Sequence, residues 1–124
     1  MYGRDESEWD DLVTEGTRFL EERIRLGGTT SYTEMNATLA RRTGRAAFDF
    51  SKDVDRAAMG ELLGRIVQRD FSTRGHMLSA LVIYLDGNDA GTGFYRLARG
   101  MGLLGPTDDP LAFWTKQLAG LGLR

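Results

Sequence analysis

Apolar residues recur at intervals of three and four along the first stretch of the chain, where Trp9, Leu12, Val13, Phe19, Leu20, Ile24 and Leu26 line up as one stripe of a helix. Ser7 is placed to cap that helix. Asp10 and Asp11 sit near its positive end and Arg23 and Arg25 near its negative end, and Gly27 and Gly28 stop it. Thr29, Thr30, Ser31 and Tyr32 favour a short extended segment. A second helix is expected from about Thr33, with Met35, Leu39 and Ala40 inward and its end before Gly44. A capping box of Ser31 with Glu34 would start it one step earlier.

Phe48, Asp49 and Phe50 read as a loop, after which Ser51 or Asp53 offers a cap for a third helix running from Asp55 to about Asp70. Met59, Leu62, Leu63, Ile66 and Val67 give it an apolar face. Gly60 and Gly64, four apart, predict close packing against a neighbouring element. The period then changes. Residues 76–85, HMLSALVIYL, are rich in Val, Ile, Leu and Tyr and predict a buried strand. Residues 86–93, DGNDAGTG, are turn material, a hairpin tip. A fourth helix over FYRLARGMGLL comes next, Pro106 ends that segment, and Asp108 caps a last helix whose Leu111, Trp114 and Leu118 are spaced to dock on the core. The pattern predicts one mainly α domain with a small β-hairpin or sheet (α+β), winged-helix-like, with about five helices. Its parts are an N-terminal helix (1–28), a winged-helix-like core (29–95) and C-terminal helices (96–124).

Composition narrows the chemistry. The 124 residues are 41% hydrophobic and 27% charged, ordinary for a folded domain. With no cysteine and one histidine, His76, there is no thiolate nucleophile or thiolate metal site, and a zinc centre is not expected. Asp86, Asn88 and Asp89 lack the ligand series of a calcium loop. No cofactor is expected. The acidic, polar start and the absence of a long apolar run predict a cytoplasmic protein without membrane association. The formal charge of −2 is unevenly spread: residues 1–40 hold nine acids and four bases, and residues 41–75 five acids and eight bases. The middle third is locally basic.

TTSYTEMNATLARRTG, together with DRAAMGELLGR and HMLSALVIYLDGNDAGTGFY further along, resembles the DNA-binding half of the alkylguanine-DNA alkyltransferases and alkyltransferase-like proteins, over roughly residues 29–95. The resemblance implies a winged helix that binds DNA, with Tyr32 and Arg56 where the alkyltransferase-like proteins use a tyrosine and a helix arginine to extrude a nucleotide. It departs from the family where the alkyl-accepting cysteine would stand: Leu78 occupies that place, and His76 precedes the strand instead of coming after the nucleophile. Leucine cannot accept an alkyl group, so no alkyl transfer is expected.

The expectation is a non-enzymatic module that contacts nucleic-acid phosphates through Tyr32, Arg41, Arg42, Arg45, Arg56, Arg65 and Arg69. The alternative is a protein-interaction or adaptor domain, or self-association, on the same scaffold without DNA. Arg41, Arg42 and Arg45 equally suit the C-terminus of the second helix, and Asp86 and Asp89 in the turn would repel phosphates. Arginines on one continuous positive face favour nucleic acid. Arginines dispersed or paired with acids favour the adaptor.

Overall fold

The computed structural model describes residues 1–84 and 89–123. Five α-helices surround a two-stranded parallel sheet: α1 (Glu6–Leu26), β1 (Thr30–Ser31), α2 (Tyr32–Thr43), α3 (Asp53–Arg74), β2 (Val82–Ile83), α4 (Thr92–Gly100) and α5 (Pro110–Gly120), with a 3₁₀ turn at Leu78–Leu81 just before β2. This is the mainly α, α+β architecture that the hydrophobic pattern predicts.

Helix α1 forms as its stripe dictates, but its cap is Asp5 and not Ser7: the Asp5 carboxylate accepts from the Glu8 N–H at 2.9 Å. Gly27 ends it in the left-handed region at φ 73°, where a residue with a Cβ would be strained. The stripe stops being buried at Leu20. Ile24 is only partly covered and Leu26 is 74% exposed. For α2 the earlier start holds, since the Ser31 hydroxyl accepts from the Glu34 N–H at 3.0 Å. The second half of the box is redirected, with the Glu34 carboxylate accepting from the Thr30 hydroxyl.

Helix α3 is longer than its periodic core, starting at Asp53 after Lys52, which gives no side-chain cap; neither Ser51 nor Asp53 caps it. It packs on α1, tightly at Gly16, where a Cβ would lie 2.7 Å from Ile66 Cδ1 and 3.3 Å from Met35 Cε of α2. The loop before α3 is pinned by Asn36, which donates to the Phe48 carbonyl at 2.8 Å and accepts from the Phe48 N–H at 2.9 Å.

The strand expected over residues 76–85 is mostly not a strand. Leu78, Ser79, Ala80 and Leu81 wind into the 3₁₀ turn, all four buried, and only Val82 and Ile83 pair, in parallel, with Thr30 and Ser31. An apolar run reads alike for a buried strand and a buried turn, since both hide every side chain. Residue 85 of the expected strand and residues 86–88 of the expected hairpin tip lie outside the described residues. Within that tip, Ala90 makes a single antiparallel bridge to Ile83, and α4 begins at Thr92, two residues before the predicted start.

The C-terminal helix is capped by Asp109, whose carboxylate accepts from the Leu111 N–H at 3.0 Å, and not by Asp108, which accepts from the Gly105 N–H at 2.7 Å. Trp114 docks it: the buried indole N–H donates to the Ala80 carbonyl at 2.9 Å, and Gln117 accepts from the Met77 N–H at 2.8 Å. Leu111 is 53% exposed, so it takes no part in docking. His76 lies against α5, so close that a Cβ on Gly120 would meet its ring.

Candidate binding cleft and the arginine set

The locally basic middle of the chain faces the acidic first helix. Arg42 forms a two-pronged pair with Glu22 (2.5 and 3.0 Å), Arg45 reaches Asp11 (2.9 Å), Arg65 reaches Glu6 (3.3 Å) and Glu61 (2.7 Å), and Arg74 reaches Glu21 and Asp70, each at 2.7 Å. Arg69 also turns to α1, donating to the Thr14 hydroxyl at 3.5 Å. Two of these guanidiniums lie over core aromatics as well: Arg65 stands 4.6 Å from the Trp9 ring centre and Arg42 5.6 Å from that of Phe19. The Arg42 hydrogen bond holds the Glu22 carboxyl below its ordinary range, and the carboxylate partners hold Arg42, Arg45, Arg65 and Arg74 above theirs.

The predicted site residues are therefore not brought together. Arg42, Arg45, Arg65 and Arg69 are spread along α1. Arg56 folds back on its own helix start, bonding the Asp53 carboxylate and the Phe50 carbonyl. Arg41 is exposed on α2 and makes no ion pair with a described residue. Tyr32 makes none of these contacts and packs against Tyr84 with ring centres 5.2 Å apart.

Tyr32 instead belongs to a cleft of about 1070 Å³ between α3 and α4. Ala57, Gly60 and Gly64 form its strip on α3; Gly93, Leu97 and Gly100 face it from α4; Phe50, Leu63, Phe94 and Met101 supply apolar wall. The close packing expected at Gly60 and Gly64 is not made, since a Cβ at either would meet nothing within 4 Å. These glycines keep a groove open. Their spacing in sequence predicted a close neighbour, and that no described residue packs on them could be known only from the fold.

At one end of the cleft the chain is tightly fitted. A Cβ on Gly91 would lie 2.6 Å from the Tyr32 hydroxyl and 3.0 Å from the Tyr84 hydroxyl, so the phenols rest on the backbone just before α4. Burial, with Tyr84 beside it, pushes the Tyr32 phenol up to about 12, which keeps it protonated and a hydrogen-bond donor. Ser79 also lines this cleft, from the 3₁₀ turn. It is 2% exposed and its hydroxyl has no hydrogen-bond partner among the described residues. Neither Ser79 nor the α4 face was marked by any sequence motif; Ser79 was hidden within an apolar run read as strand.

Among the described residues no helix is long and apolar enough to cross a membrane. No family model, curated protein or solved structure matches the chain significantly.

Proposed function

We propose that this protein is a non-enzymatic interaction module that receives a segment of a protein partner in the cleft between α3 and α4. One observation carries the reading: Arg42, Arg45 and Arg65 are engaged by carboxylates of α1 and α3, whereas an apolar concavity between α3 and α4 remains open, with small residues along its floor. A phosphate-binding surface needs cations free to replace counterions. An apolar groove floored by Gly60 and Gly64 lets a chain approach the α3 backbone closely and bury its side chains against Phe50, Leu63 and Met101.

The test is panning of a random peptide library against the folded protein, in parallel with duplex mobility shifts. The expected result is enrichment of peptides with large apolar residues, whose binding is lost in Gly64→Leu while the melting temperature is kept, and no duplex complex at micromolar protein and about 50 mM salt. Failure to enrich any peptide would sink the reading. A duplex complex that dissolves between about 50 and 200 mM salt would return the assignment to nucleic acid, with Arg41 and Arg69 as its first contacts.

A further inference from the structure

The cleft is walled by helices on both sides, and this decides what kind of chain it can hold. An extended peptide gains most of its affinity by adding to an open strand edge, and its backbone N–H and C=O groups need partners wherever a groove covers them. No such edge lines the cleft among the described residues: Ile83, the strand residue in its wall, is paired with Ser31 on one side and bridged to Ala90 on the other. The interior backbone groups of α3 and α4 are spent within their own helices. A chain entering this groove must therefore satisfy its own backbone, which a helix does and an extended strand does not.

The dimensions suit a helix. Gly60 and Gly64 lie one turn apart on α3, and Gly93 and Gly100 two turns apart on α4, so a third helix axis can come close to both. A helix with its side chains is about 10 Å across and rises about 1.5 Å per residue, so the 1070 Å³ of the cleft has room for about nine residues, or two to three turns. Charge in the lining sets the rest of the occupant's chemistry. Arg96 lines the cleft from α4 and pairs with no acid among the described residues; Arg56 lines it from α3 and holds Asp53 only through an exposed pair, which a new partner can replace at little cost. Glu61, the one acid among the described lining residues, is already engaged by Arg65 at 2.7 Å.

We propose that the occupant is an acidic amphipathic helix of a partner protein, with its apolar stripe against Gly60, Gly64 and Leu97 and acidic residues flanking that stripe, within reach of Arg56 and Arg96. The inference rests on the cleft being the binding face. The groove supplies the apolar contact and the two arginines, one from each wall, supply the charge preference, so a helix with basic flanks is turned away.

The test pans the full chain against three displayed peptide libraries with the same number of randomised apolar positions: a helical one with Glu beside the apolar stripe, the same helix with Lys in those places, and a proline-rich one that cannot form a helix. The Glu library is expected to supply the binders, and the far-UV circular dichroism of a selected peptide should gain helix on binding. Its affinity should fall about tenfold at low salt in Arg96→Glu, where the side chain is exposed and the fold is not at stake, stay within about twofold in Arg99→Glu, which does not line the cleft, and be lost in Gly64→Leu with the melting temperature kept. Binders drawn from the proline-rich library, bound without helix gain and lost in Gly64→Leu, would overturn the helix and leave the interaction-module reading standing. Preference for the Lys library, or an affinity that survives Arg96→Glu, would overturn the acidic partner. Dimerisation of the protein that Gly64→Leu abolishes would give the groove to a second copy and overturn the proposal. No binder from any of the three would overturn both this inference and the reading beneath it.

Discussion

Two glycines of identical helical setting have opposite roles in this protein, and the difference lies in what a methyl group would touch. At Gly16 it would press on Ile66, which is fully buried at the α1–α3 crossing, and on Met35 behind it. At Gly64 it would project into the open cleft. Gly16→Ala is therefore expected to destabilise the fold by about 1–3 kcal/mol through overpacking, against a gain of about 1 kcal/mol in helix propensity. Gly64→Ala should stabilise it by about 0.5–1 kcal/mol. Urea denaturation of the two variants measures both, and the same sign for both would contradict the packing described. Gly60 and Gly64 stand out in the sequence as exceptions within a helix. Gly16 does not, because a glycine on an otherwise regular apolar stripe looks like a missing side chain. Ser79 was hidden for a similar reason: in the run from Met77 to Ile83 one hydroxyl among apolar residues does not alter the period.

Most elements were legible where a local rule decides them. The apolar stripes placed α1 and α3, and Ser31 with Glu34 marked a correct start for α2. Legibility failed where two conformations bury the same side chains, as in the 3₁₀ turn at Leu78–Leu81, and where residues one or two apart compete for one role, as Asp5 with Ser7 and Asp109 with Asp108. The largest departure concerns α1. Its acids were legible as a helix-start preference and a local charge excess, but their partners lie 20 to 59 residues away, Glu22 with Arg42 and Glu6 with Arg65. If α1 is the internal counterion of the basic segment, replacing Glu6, Asp11 and Glu22 by Gln, Asn and Gln should release Arg42, Arg45 and Arg65. The folded triple variant should then form a salt-sensitive duplex complex at about 50 mM salt that the wild-type protein does not form. A triple variant that remains folded and binds no better than wild type would show that these pairs do not hold the arginines back.

At the scale of the whole molecule, the parallel pairing of β1 with β2, the 3₁₀ turn and the Trp114 bond to Ala80 hold α2, α3 and α5 around one core. Helix α4 enters beside the sheet through the Ala90 bridge and leaves the α3 face opposite it uncovered. Charge is neutralised on the α1 side and apolar surface is left available on the α3–α4 side. The most direct measurement is an amide chemical-shift titration of the isotopically labelled protein, first with an apolar peptide enriched by panning and then with a short duplex. The peptide is expected to move the amides of Gly60, Gly64, Gly93 and Leu97 and to leave Arg41, Arg45 and Arg69 in place, with no response to the duplex. Shifts confined to Arg41, Arg45 and Arg69 on adding duplex, with the cleft amides silent to the peptide, would contradict the assignment of the cleft as the binding face.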